Sequence, residues 1–200
     1  QDQHAAQLTV LHLSRNFGHQ AALTAGMDYA RGDAVICMDA DMTHPPETVP
    51  AMVKAADAGA DLVIASRYRP GSRQVGVPPL RRLMSFGARR LFRFCLALPG
   101  VRDYTCGFRG FRASLLVEGF RRFGEEGLIT RSGFACTDEL LVHLAMLGPA
   151  IHEVPFVLRY DRKMGQSKMD LGLTIRETLK LLRTHRRQMR KGVAEARGSE

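Results

Sequence analysis

Val35-Ile36-Cys37-Met38-Asp39-Ala40-Asp41 is an apolar run that ends in two aspartates one residue apart. Met42-Thr43-His44-Pro45-Pro46-Glu47 follows and opens a helix, because proline is tolerated in a first helical turn. An apolar strand ending in Asp-x-Asp puts two carboxylates at its C-terminal edge, where ligands bind in open α/β sheets. Two hard oxygen donors there suit Mg²⁺ or Mn²⁺ bridging a substrate diphosphate. A plain strand end followed by a solvated turn would carry the same residues, so the decision falls to the flanking chain.

Upstream, residues 8–13 read as a strand, residues 14–18 as a turn and residues 20–30 as an Ala-rich helix. Downstream, the helix opened at Pro46 runs to about residue 58, Gly59 ends it, and residues 61–66 form a third strand. Strand, helix, strand, helix, strand at this pitch implies right-handed βαβ units. The expected fold is α/β and Rossmann-like, a mainly parallel sheet flanked by helices. Past Arg67 the pattern predicts a basic loop, a helix over 80–98, an extended stretch over 102–111 and helices over 112–123 and 138–147. Residues 151–159 read as a strand that Pro155 confines to a sheet edge. A basic, Gly-containing loop over 161–170 leads into a basic helix over 171–191 and a frayed tail. The expected division is therefore a main unit over 1–170 and a basic amphipathic helix with its tail over 171–200.

Two hundred residues at 45% hydrophobic suffice for one well-buried domain. Residues 1–66 carry three Lys/Arg against eight Asp/Glu, and residues 67–200 carry 26 against 12. An acidic half able to hold a cation thus precedes a basic half able to hold phosphate, nucleic acid or an anionic lipid surface. The basic runs lack interleaved aromatics, which argues against single-stranded nucleic acid. Cys37, Cys95, Cys106 and Cys136 are scattered without a C-x-x-C pair, a pattern of reduced cytosolic thiols and not of zinc. No run is long and apolar enough to span a bilayer, and no signal peptide is visible. The 80–98 helix mixes Leu83, Phe86, Leu91, Phe94 and Leu98 with Arg81, Arg82, Arg89, Arg90 and Arg93. That mixture fits a helix lying in a membrane interface, and equally a surface helix whose apolar stripe faces the core.

Several linked motifs carry a family resemblance. Ser14-Arg15-Asn16-x-Gly18, Gly32-Asp33, Met38-Asp39-Ala40-Asp41, His44-Pro45-Pro46-Glu47 and Ser66-Arg67-Tyr68 resemble family 2 glycosyltransferases. More narrowly they are similar to the dolichol- and polyprenol-phosphate sugar transferases. Asp103-Tyr104-Thr105-Cys106-Gly107-Phe108-Arg109 and Glu153-Val154-Pro155, then Arg162, Gly165, Ser167 and Lys168, resemble two further segments of that group. That family's first strand and its second strand ending in Asp-Asp-Gly-Ser, which hold the base and ribose, have no counterpart in this sequence. The expected unit is thus an N-terminally incomplete catalytic domain.

The resemblance implies a GT-A-like fold, with basic amphipathic helices on a membrane-facing side. It implies transfer of a sugar from a GDP- or UDP-linked donor to a polyprenyl or dolichyl phosphate, with inversion. It implies Mg²⁺ or Mn²⁺ on Asp41, with Asp39 holding the ribose or sharing the metal. Arg109, Arg162 and Lys168 would bind and position the acceptor phosphate, with Arg81 and Arg82 as lesser candidates. Asn16 and Gly18 would contact substrate, and His19 and Gln20 fall where the family places a loop near the diphosphate. Arg67, Asp103 and Asp138 would contact substrate, Asp103 also orienting Arg109. A place at the cytoplasmic face of a membrane follows, peripheral or tethered through segments outside this sequence. Two other readings stay open. One is an inactive fragment that binds a membrane surface or nucleic acid through its basic half. The other is a polysaccharide-forming family 2 enzyme, in which Thr137-Asp138-Glu139 would supply a general base.

Overall fold

The computed structural model describes residues 8–163 and 171–197, with side chains described over 8–163 and 172–186. Lys168, Gly165 and Ser167 lie outside the described residues. The helices are α1 (His19–Tyr29), α2 (Val49–Asp57), α3 (Pro79–Leu96), α4 (Ala113–Phe123), α5 (Ala135–Ala145) and α6 (Leu171–Arg197). The strands are β1 (Ala34–Cys37), β2 (Leu62–Ser66), β3 (Arg73–Val75), β4 (Arg109–Arg112), β5 (Ile151–Pro155) and β6 (Val157–Arg159).

The main sheet has the order β1-β4-β2-β5. β4 is antiparallel to both β1 and β2, and β2 is parallel to β5. Three of the four strands therefore run the same way, as expected. They are not neighbours in the expected manner, because β4 lies between β1 and β2. The central strand β2 is buried along its whole length. Its side chains alternate between two cores. Leu62 and Ile64 join Phe92, Leu96, Phe111, Leu140 and Leu181 on one face. Val63 and Ala65 join Met52, Phe108, Val154 and Phe156 on the other. A strand covered on both faces favours apolar residues at successive positions, which explains why Leu62 to Ala65 do not alternate.

Residues 8–13 form no strand. Leu8 and Val10 stay exposed, and no described strand offers this segment a ladder for its backbone groups. The predicted 151–159 strand divides at Phe156. β5 takes the sheet edge that Pro155 implied, while β6 leaves to pair in parallel with β3. α6 runs to Arg197, and its Leu181 and Leu182 are buried in the core shared with α3 and α5.

Three consequences position the site. The C-terminal ends of β1, β2 and β5 share one edge of the sheet. The start of β4 lies there too, since Arg109 is level with Cys37 and Ile64. β6 is tied to the loop after β1, because the Arg159 N–H donates to the Thr43 carbonyl at 3.0 Å.

Candidate functional site

The loop after β1 is held in a tight bend. Met42 has φ 66°, a left-handed conformation uncommon for a residue with a side chain. Thr43 fixes Asp41 by donating from its N–H (3.1 Å) and its hydroxyl (2.6 Å) to Asp41 Oδ1. The Asp39 N–H donates to His44 Nδ1 at 3.0 Å, so that nitrogen carries no proton. His44 is buried, stacks on Phe108 with ring centroids 4.9 Å apart and places Nε2 4.0 Å from Asp39 Oδ2. Burial, then the Arg67 and Lys163 charges, outweigh Asp39 and Asp41 and keep His44 below its ordinary value, hence neutral at pH 7. His44 thus props the bend that presents both aspartates.

Asp41 Oδ2 accepts a hydrogen bond from Lys163 Nζ, 122 residues away. Partial burial would raise the Asp41 carboxyl. Hydrogen bonds from Lys163 and Thr43 outweigh it and hold the group below the ordinary carboxylate value. Asp41 is therefore ionised and about a quarter exposed, with Thr43 on one oxygen and Lys163 on the other. Asp39, at 39% side-chain exposure, stands beside it. Among the described residues no three His, Cys, Asp or Glu side chains cluster into an all-protein cation cage. A pair of carboxylates fits Mg²⁺ or Mn²⁺ well, because such ions keep waters and take phosphate oxygens as further ligands.

A second charged layer lies deeper along the same edge. Arg67 grips Asp103 in a fork, Nε to Oδ2 at 2.8 Å and Nη2 to Oδ1 at 2.6 Å, and its backbone N–H adds a third bond. Nη2 also reaches Thr105 Oγ1 at 2.7 Å. Burial would raise the Asp103 carboxyl, but Arg67 holds it low. Asp103 is oriented in turn by Glu153, whose Oε1 accepts from the Arg102 and Asp103 N–H groups at 2.7 and 2.8 Å. Asp103 therefore pairs with Arg67, where the sequence reading joined it to Arg109.

Arg109 is 1% exposed. Its Nη1 donates to the Thr137 carbonyl, and its Nη2 donates to the Tyr104 carbonyl at 2.6 Å. It clamps the 104–108 loop to the start of α5 and offers no exposed face to an acceptor phosphate. Asp138 shares this layer at 5% exposure, and burial pushes its carboxyl up to about 7 against the pull of Arg109 and Arg67. Glu139 is structural here, receiving the Thr130 and Arg131 N–H groups and the Thr130 hydroxyl. Burial pushes the Cys106 and Cys136 thiols up to about 12 and Cys37 to about 11, so none is a ready nucleophile.

The remaining predicted residues sit at the surface. Asn16 Oδ1 accepts the Gly18 N–H at 2.9 Å, and Gly18, with φ 95°, caps α1. Arg162 is exposed on the 3-10 turn Tyr160–Arg162, one residue before Lys163. Arg82 is exposed on α3. The sequence reading missed Lys163 and the propping role of His44. A cation next to Arg162 was the only available hint of the first.

A sheet with an acidic pair on its carboxyl edge and helices around it defines a GT-A-like α/β fold. The chain belongs to glycosyl transferase family 2, whose model matches residues 2–120. It is 35% identical over 173 residues to the polyprenol monophosphomannose synthase of Mycolicibacterium smegmatis, covering 85% of this chain and 62% of that protein. It is 34% identical over 172 residues to the dolichol-phosphate mannosyltransferase of Pyrococcus furiosus, covering 86% of this chain and 46% of that protein. The chain thus spans about half to two-thirds of the length of these relatives. In fold it is similar to the glucosyl-3-phosphoglycerate synthase of Mycobacterium tuberculosis, solved with Mn²⁺, UDP and phosphoglyceric acid. The TM-score is 0.60 at 22% identity, over 92% of this chain and 57% of that one.

Proposed function

We propose that this chain carries the catalytic site of a polyprenyl-phosphate sugar transferase that uses a nucleotide-diphosphate sugar. The observation that carries the reading is the bent loop after β1. It presents an ionised Asp41 beside Asp39 at the carboxyl edge of the sheet. The names of the relatives support the acceptor class.

Asp41, aided by Asp39, would hold Mg²⁺ or Mn²⁺. When bound, that ion neutralises the charge that builds on the departing diphosphate. The acceptor phosphate is already ionised, so it needs positioning more than deprotonation. One of its oxygens attacks the anomeric carbon opposite the diphosphate. The bond from that carbon to the diphosphate oxygen breaks with its electron pair, and the configuration inverts. Arg162, on the turn that carries Lys163, and Lys168 are the proposed phosphate contacts, with Arg82 a further one from α3. Arg109, Arg67 and Asp103 act by shaping the pocket wall.

The acceptor's hydrocarbon tail belongs in a bilayer. No helix among the described residues is long and apolar enough to cross one. α3 instead carries Leu80, Leu83, Leu91 and Phe94 along one exposed stripe beside Arg82, Arg90 and Arg93. A groove of about 320 Å³ between α3 and α6 adds Leu179, Leu182, Arg183 and Arg186. Apolar side chains rimmed by cations suit the cytoplasmic surface of an anionic membrane.

The test is transfer of labelled sugar from GDP- and UDP-linked donors to a polyprenyl phosphate, with Mn²⁺, by the chain and by Asp41→Asn. Transfer that needs Asp41 supports the reading. Transfer indifferent to Asp41, or directed to a sugar hydroxyl, overturns it. In the second case Asp138, with its carboxyl pushed up to about 7, is the base to examine.

A further inference from the structure

We propose that Lys163 is a tethered counter-cation for Asp41, which keeps the divalent ion out until a nucleotide diphosphate brings it in. The inference rests on the reading of Asp41 as a metal ligand.

Asp41 has two oxygens and unequal demands on them. Oδ1 is saturated by the N–H and hydroxyl of Thr43. Oδ2 is the one left for a cation, and the Lys163 ammonium occupies it. An ammonium and a divalent ion cannot share that oxygen at bonding distance, because like charges so close repel strongly. The ion must therefore displace Lys163, and its affinity for the free chain falls accordingly.

The placement of Lys163 is built into the fold and is not an accident of a long side chain. The Arg159 N–H bond to the Thr43 carbonyl fastens β6 to the Asp41 loop. The turn that follows β6 is pressed against Gly76, where an added Cβ would lie 2.7 Å from the Asp161 nitrogen. Gly76 has φ 72°, so the chain uses glycine to let two backbones meet. Lys163 follows that turn directly. Its ammonium also lies 5.7 Å from the centre of the Tyr160 ring, so it keeps a favourable contact when it leaves the carboxylate. A diphosphate changes the balance twice over. It gives the metal further oxygen ligands, and it gives the displaced lysine a new anionic partner. The site thereby favours a metal–nucleotide complex over the bare metal.

The experiment is Mn²⁺ binding by the full chain, read from the loss of the free-ion paramagnetic resonance signal, with and without GDP or UDP. Wild type, Lys163→Met, Lys163→Arg and Asp41→Asn are compared after circular dichroism shows each to be folded. Lys163→Met is expected to bind Mn²⁺ alone about tenfold more tightly than wild type. Lys163→Arg should stay near wild type, and nucleotide should narrow the gap. An unchanged or weaker affinity in Lys163→Met overturns the proposal. Should Asp41→Asn abolish binding while Lys163→Met does nothing, only the role of Lys163 falls. Mn²⁺ binding indifferent to Asp41, or absent in every variant with and without nucleotide, overturns the metal assignment as well.

Discussion

Asp103 and Asp41 stand on the same edge of one sheet, and both carboxyls are held below the ordinary carboxylate value. Their surroundings differ in kind. Asp103 is completely buried, bound by a forked arginine and oriented from behind by Glu153. Asp41 is a quarter exposed, and its Oδ2 is held by a single lysine. A forked, desolvated pair fixes geometry and is hard to exchange. A single ammonium at the surface can be exchanged for another cation. The deep pair builds the wall of the candidate site, and the shallow pair leaves a carboxylate whose partner can be exchanged.

The largest expected effect tests the deep half. Asp103→Asn leaves Arg67 buried without its counter-charge and should lower stability by about 3–5 kcal/mol, measured by urea denaturation. Asp41→Asn should shift stability by less than about 1 kcal/mol, since the pair is partly solvent-exposed and rests on a single lysine contact. On the proposed function its transfer rate should nevertheless fall roughly a hundred- to a thousandfold. Equal damage to stability from both variants would erase the contrast. Gly76→Ala probes the close backbone approach beside the turn that leads into Lys163. The left-handed backbone and the contact with Asp161 should lower stability by about 1–2 kcal/mol in thermal melts. The same variant should also loosen the hold of Lys163 on Asp41, seen as tighter Mn²⁺ binding without nucleotide.

The smallest effect is a slope against pH. Asp138 is raised from 3.8 to about 7 in the folded chain. Between those values the folded chain keeps a proton that the unfolded chain has released. The stability this proton contributes is full below the lower value and is lost as the pH rises through about 7. Asp138→Asn should flatten that decline, and melts from about pH 4 to about pH 8 would show it.

The parts of the fold written in local pattern were legible in the sequence. The apolar runs of β1 and β2, the proline-led start of α2 and the Leu/Phe spacing of α3 all fell where their periodicity put them. β4 was legible only as extended chain. Arg109-Gly110-Phe111-Arg112 has charged ends and a glycine, and only pairing on both sides makes it a central strand. Residues 8–13 failed in the opposite sense, with a strand-like run and no partner strand among the described residues. In the candidate site, the placing of Asp39 and Asp41 just past the end of β1 was legible because an apolar run followed by carboxylates forms a local motif. Arg109 was misjudged, since an arginine in a basic half reads as a surface cation until its burial is known. Lys163 was invisible because its meaning depends on a contact across 122 residues.

The insertion of β4 also bears on the order in which this molecule can be assembled. β1 and β2 succeed one another in sequence and point the same way, yet they share no backbone bond. When synthesis has passed Ser66 they are separated by the width of a missing strand, roughly twice the usual interstrand spacing of about 4.8 Å. The sheet cannot zip from its N-terminal side. It waits for residues 109–112 to enter the gap, and β5 can extend the other side of β2 only later still. So large a share of distant pairing predicts slow, late-closing folding kinetics for a chain of this size.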